Sequence, residues 1–185
     1  MNKSKPVENI RDILEKSKLQ SYIGEKISQY EHAIQCADLA LKAGAEEDLI
    51  IAAFLHDIGH LITRSEAKQM GDFGTADHDK IGANFLLENG FSERTANLVR
   101  NHVQAKRYLV ATRPTYRENL SDASIETLKY QGGPMSESEI KKFEADPDFK
   151  DSLRLRAWDE QGKLENYKSE NEEIFFRLIR ARTPK

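Results

Sequence analysis

The chain has 185 residues, 32% of them charged and 38% hydrophobic, with a formal net charge of −3. That length suits one domain with a real core, and the charge balance with no basic run argues against nucleic-acid binding. The single cysteine, Cys36, excludes an intramolecular disulfide and fits a reducing cytoplasm. No apolar run approaches membrane-spanning length, and Met1–Pro6 lacks the apolar core of a signal peptide.

Val7, Ile10, Ile13 and Leu14 recur at helical spacing and predict a helix over 7–19. Ser21 to Glu25 interrupts it, with Gly24 permitting a bend. A second helix runs from Ile27 to Ala43, carries His32 and stops at Gly44; Cys36 within it reads as a small core residue. The apolar run Leu49 to Ala53 predicts a buried helix over Glu46–Ile58, with His60 one turn beyond His56 if the helix continues. Leu61 to Thr75 has no period and contains Gly71 and Gly74, so it reads as a loop that could wall or cover a site.

Asp77 to Asn89 is the next helix, with His78 in its first turn, where the helix dipole disfavours a protonated imidazole. Ser92 caps the helix bearing His102, and Ser121 caps a short one ending near Tyr130. Ser136 with Glu139 and Ser169 with Glu172 spell capping boxes. A helix over Asp148–Gln161 carries Asp159, and the last amphipathic helix follows at Ile174–Ile179. No alternating pattern of useful length appears, so the fold class is all-α: residues 1–20 an N-terminal helix, 21–163 the core, 164–185 a terminal helix without assigned role.

His56 and Asp57 stand side by side at the end of an apolar helix, where burial is costly unless something binds them. A metal ion does so, with neutral imidazole and carboxylate as ligands. His32, His56, His78 and His102 lie on four predicted helices, and Asp159 follows late. Each histidine taken alone is more often an ordinary core or surface residue. Together the six residues are what two metals sharing one carboxylate require.

The order H…HD…H…H…D on helices resembles the HD-domain superfamily. More narrowly, the chain is similar to its mixed-valence di-iron oxygenases of the PhnZ type, which act on 2-amino-1-hydroxyethylphosphonate and form glycine. The resemblance is carried by Tyr22–Glu25, Glu31–His32, Leu55–His60, His102–Val110, Asn119–Ser124, Tyr130–Met135 and Arg156–Asp159. It implies a single HD-type helical bundle around a dinuclear site, with His32, His56, Asp57 and Asp159 on one iron and His78, His102 and the bridging Asp57 on the other. Spacing alone would equally admit manganese or zinc.

The resemblance further implies Fe(II)/Fe(III) as cofactor, dioxygen as co-substrate and a small phosphonate as the partner. Lys106, four residues after His102, is placed to hold a phosphonate oxygen, as are Ser124, Thr127 and Gln131 on one stripe and His60 as an anion contact. Tyr22 is implied as an iron position that substrate vacates, and Glu25 as a contact for the substrate ammonium. A trimethylated ammonium would want an aromatic cage, for which Tyr22, Tyr30, Tyr108 and Tyr130 are available. Hydroxymethylphosphonate would leave Glu25 without a cation. Two other readings stay open: a di-metal HD phosphohydrolase, which needs the same ligands but not Tyr22 and Glu25, and a non-catalytic HD-like module.

Overall fold

The computed structural model describes residues 5–22, 24–62, 70–71 and 74–182. Among them there is no named strand; one antiparallel bridge, Ser21 with Ser28, closes the turn that holds Tyr22. The helices are α1 (Lys5–Ser17), α2 (Gln29–Lys42), α3 (Glu47–Leu55), α4 (Ile58–Leu61), α5 (His78–Glu88), α6 (Glu93–Thr112), α7 (Asp122–Tyr130), α8 (Glu137–Glu144), α9 (Phe149–Gln161) and α10 (Glu172–Arg182). None is long and apolar enough to cross a membrane.

α3 is the axis of the bundle. Its residues from Leu49 to Leu55 are all buried, as an all-round apolar helix demands. α2, α6, α9 and α10 surround it. One continuous core runs from Val7 and Ile10 through Phe54 and Leu98 to Phe175 and Ile179. The terminal helix, whose role the sequence left open, therefore has a structural one. Phe175 and Phe176 pack on Phe54 with ring centroids 5.3 and 5.6 Å away. Tyr167 and Asn171 tie the approach to α10 down onto Asp38 of α2.

The caps follow the sequence closely. Ser92, Ser121 and Ser136 each accept a backbone N–H at the start of their helix, and Ser136 with Glu139 forms its box. Ser28 with Glu31 forms a further box at α2 that the sequence reading missed. The box expected at Ser169 and Glu172 does not form. Ser169 Oγ instead accepts from the Asn171 N–H, and α10 starts only at Glu172.

A larger correction concerns the helix through His56. It ends at Leu55, and Asp57 leaves helical geometry at φ −98°, ψ 8° before the one-turn α4. His60 is thus not on a continuation of α3. The break is useful: it turns the Asp57 carboxylate away from the core while His56 stays fully buried. Part of the predicted loop over Leu61–Thr75 lies outside the described residues, as does Ile23.

Gly59 explains how α4 meets α5. A Cβ on it would stand 1.9 Å from the His78 carbonyl oxygen and 2.7 Å from its carbon. Backbone cannot give way as a flexible side chain can, so the two helices approach this closely only through glycine. Gly59→Ala should therefore lower stability by at least about 2 kcal/mol, within the range of core overpacking. The expected readout is a lower urea midpoint at unchanged m-value, together with weaker metal binding through displaced His78.

Candidate metal centre

Five elements aim their side chains at one place. His32 comes from α2, His56 and Asp57 from the break after α3, His78 from the first residue of α5, His102 from α6 and Asp159 from α9. The four histidines are almost wholly buried.

Each of these imidazoles has its Nδ1 against a backbone carbonyl. His32 faces Gly162 O at 2.9 Å, His56 faces Ala53 O at 2.9 Å, His78 faces Thr75 O at 3.3 Å and His102 faces Val99 O at 2.6 Å. A carbonyl oxygen only accepts, so Nδ1 carries the proton and donates it. In a neutral ring that leaves a lone pair on every Nε2.

Those lone pairs converge in pairs. His32 Nε2 and His56 Nε2 are 3.1 Å apart, with Asp159 Oδ1 3.3 and 3.8 Å from them. His78 Nε2 and His102 Nε2 are also 3.1 Å apart. Asp57 stands between the sets. Its Oδ2 is 3.4 Å from His56 and 3.9 Å from His32, while its Oδ1 is 3.5 Å from both His78 and His102. With both Nδ1 atoms protonated, each close nitrogen pair is acceptor against acceptor. That contact is repulsive unless a proton or a metal ion sits between. Donors about 2.1 Å from a common ion lie about 3.0–3.4 Å apart at right-angled to tetrahedral geometry, the spacing seen here. The donor set fits two metal ions sharing one carboxylate.

The charges agree. Burial alone would protonate Asp57, but His56 and His102 outweigh it and hold the carboxyl well below its usual range. Burial works the same way on Asp159, where Arg156 dominates the opposing effect. At His56 burial disfavours charge, yet the two carboxylates win and raise its pKa. At His78 burial, aided by His60, drives the pKa well down, which keeps it a neutral ligand. Two buried anions thus await positive charge, which a proton on His56 meets only in part.

Two nearby donors are close enough to be considered with these sets, Cys36 beside His32 and His56, and His60 beside Asp57 and His78. In this arrangement both are otherwise engaged. The Cys36 thiol donates to Trp158 O at 3.5 Å, and burial pushes its pKa well up. His60 Nδ1 accepts the Thr75 N–H at 3.1 Å, which puts the neutral ring's proton on Nε2 as a donor. Its ring stacks on His78 at 3.9 Å, much as Tyr22 stacks on His32 at 3.9 Å.

A cleft opens over the second histidine pair. Tyr22, His60, Lys106, Ser124, Thr127 and Gln131 line it, and so do Arg156 and Lys163, which the sequence reading had not singled out. Lys106 is buried, not an exposed helix lysine, and donates to Thr127 Oγ1 at 2.9 Å and Ser124 O at 3.4 Å. Burial and then Arg156 bring its pKa down to about 7. Arg156 holds Asp159 Oδ2 at 2.5 Å, leaving Oδ1 for the histidines, and is itself held by Glu160 at 2.8 Å. Its spacing of one turn before Asp159 was the available signal. Gln131 Oε1 is buried without a partner.

Tyr22 reaches the first centre, its hydroxyl donating to Asp159 Oδ1 at 3.4 Å. Burial, followed by Asp159, raises its pKa, so the phenol keeps its proton in this arrangement. Glu25 does not itself line the cleft but stands beside it, behind Lys163. Its carboxylate is taken by Lys163 Nζ at 2.7 Å. The tyrosines expected to be available for a cage do not assemble. Tyr30 lies under Lys18, Tyr108 packs with Phe143 and Phe149, and Tyr130 faces solvent, which leaves Tyr22 alone in the cleft.

The HD-domain family profile matches residues 29–146, more than half of the chain. The chain is 46% identical over 85% of its length to an uncharacterised protein of Acanthamoeba polyphaga mimivirus, of which it covers 73%. It is 40% identical over 88% of its length to the glycine-betaine-forming 1-hydroxy-2-(trimethylamino)ethylphosphonate dioxygenase of Leisingera caerulea, covering 83% of that protein. It is 37% identical over 80% of its length to the hydroxymethylphosphonate dioxygenase of Gimesia maris, covering 74% of it.

Asp57→Ala should deplete metal from both sets of histidines, whereas Asp159→Ala should deplete chiefly the His32–His56 set. Metal content per chain by mass spectrometry, after loading and desalting, distinguishes the two. Full retention in Asp57→Ala would remove the shared carboxylate from the assignment.

Proposed function

This chain belongs to the HD-domain family, and on that premise we propose that it is a di-iron oxygenase cleaving the carbon–phosphorus bond of a 1-hydroxyalkylphosphonate. Its preferred reaction turns 2-amino-1-hydroxyethylphosphonate and dioxygen into glycine and phosphate. Atoms balance with one dioxygen and no external reductant. The observation that carries the reading is the Asp57 carboxylate, whose two oxygens face two separate pairs of imidazole lone pairs. The phosphonate dioxygenase relatives supply the reaction class.

His32, His56 and Asp159 would hold one iron, His78 and His102 the other, and Asp57 both. When bound, a mixed-valence Fe(II)/Fe(III) pair supplies Lewis acidity toward the substrate hydroxyl and one-electron chemistry toward dioxygen. The chain's own residues do the rest. Lys106 and Arg156 meet the phosphonate charge, Lys106 as a point charge steadied by Thr127 and Arg156 through the charge of a guanidinium already held by Asp159 and Glu160. Ser124 and Gln131 line the same wall, and His60 offers an Nε2 proton as an anion donor. Tyr22 caps the first centre on the side of His32 and limits access before substrate arrives. Among the described residues Tyr22 is the only aromatic ring besides histidine that lines the cleft, which supports a primary amine over a trimethylated ammonium needing a cage.

Anaerobic iron loading, followed by 2-amino-1-hydroxyethylphosphonate and air, should yield equimolar glycine and phosphate with matching dioxygen uptake. Release of phosphate from generic phosphoesters without dioxygen uptake would instead identify a phosphohydrolase.

Lys106→Met should raise KM at least about tenfold, the scale of a lost charge-assisted hydrogen bond. Because the Lys106 ammonium is depleted above about pH 7 in the free protein, phosphonate affinity should weaken as pH rises through that value. A flat profile from pH 6 to 8, followed by calorimetry, would take Lys106 out of the anion site.

A further inference from the structure

Lys163 is a cleft cation to which neither the metal ligands nor the phosphonate contacts give a task. Its Nζ donates to Glu25 Oε1 at 2.7 Å and to Ser121 Oγ at 3.2 Å, and lies 5.9 Å from the centre of the Tyr22 ring. The backbone on both sides is pinned to α2. The preceding Gly162 gives its carbonyl to His32, and a Cβ on it would stand 2.8 Å from Cys36 Sγ. The following Leu164 exchanges two hydrogen bonds with the Gln35 side chain, at 2.9 and 3.1 Å. From this fixed base a flexible stem carries the ammonium to Glu25. Glu25 is bound into the Tyr22 turn through its N–H to Tyr22 O at 3.0 Å, so the ion pair also fastens that turn to the end of α9.

We propose that Lys163 is a positioning residue whose ammonium holds the Glu25 carboxylate in place of a primary ammonium on the substrate, which binds by taking Glu25 from it. The proposal rests on the phosphonate reading above. Charge is conserved in the exchange: one ammonium leaves the carboxylate and another replaces it. A primary ammonium brings N–H donors equivalent to those of lysine. A trimethylated one brings none, and a ligand without a cation leaves the pair intact. Lys163 is 20% exposed, so water receives its displaced head while the Ser121 hydroxyl stays within reach.

The test is anaerobic calorimetry on the iron-loaded full chain with 2-amino-1-hydroxyethylphosphonate and with hydroxymethylphosphonate. Lys163→Met removes the competitor, so the aminated ligand should bind roughly three- to fivefold tighter, the scale of a partly exposed ion pair, while the hydroxymethyl ligand holds within about twofold. Lys163→Arg should return both affinities to wild-type values, and Glu25→Gln should weaken the aminated ligand alone. An equal shift for both ligands in Lys163→Met, or weaker aminated binding, overturns the proposal but leaves the oxygenase reading intact. If the wild-type protein binds neither ligand, both fall. Should Lys163→Met fail to fold, Glu25→Gln decides, because unchanged preference for the aminated ligand there also overturns it.

Discussion

Everything at the centre of this molecule depends on four imidazole rings that cannot turn. Each is tethered by Nδ1 to a backbone carbonyl, and with the rings neutral each presents a bare Nε2 to a neighbour that does the same. In an empty site such a contact is electrostatically unfavourable, and burial removes the water that would soften it. The fold therefore holds in place an arrangement that only positive charge relieves. The same tethers raise the basicity of the rings as ligands and fix their tautomer before any ion arrives.

The bundle's architecture serves that constraint directly. For His56, His78 and His102 the accepting carbonyl is three residues earlier in the chain, so local backbone geometry sets ring direction. What tertiary packing adds is convergence. α3 at the axis places the His56–Asp57 break where α2, α5, α6 and α9 all come near. Gly59 and Gly82 let α4 and α5 close up, with Gly59 N 3.2 Å from where a Gly82 Cβ would stand. The break itself gives two adjacent residues opposite duties, His56 facing inward to one pair and Asp57 spanning both.

Much of this was legible in the order of residues. The helical periods and the serine caps at Ser92, Ser121 and Ser136 located most elements to within a residue or two, because local rules decide them. The candidate metal ligands were legible as a set because isolated polar residues in apolar helical runs need a reason to be there. What escaped was decided by distant parts of the chain. Nothing local says that α3 ends at Leu55, since Gly59 reads as a mild breaker until the His78 carbonyl is found against it. Asn171 displaced the expected cap at Ser169 because its side chain reaches Asp38 across the bundle. Glu25 looked free for a ligand because its partner, Lys163, lies 138 positions away. Lys106 was expected at the anion, but its burial beside Thr127 and Ser124 of α7 was not legible in the sequence.

The cleft divides its labour between separable pieces of chain. The side chains proposed to hold ions come from helices α2, α5, α6 and α9 and from the α3–α4 break, whereas much of the opposite wall comes from α7 and from Lys163, neither of which is among the candidate ligands. Substitutions on that wall can accumulate without disturbing the inner apparatus. A scaffold so partitioned can diversify in what it accepts while inheriting its reactive heart unchanged. The relatives at 40% and 37% identity to this chain carry names for differently substituted phosphonates, as such a division of labour would allow.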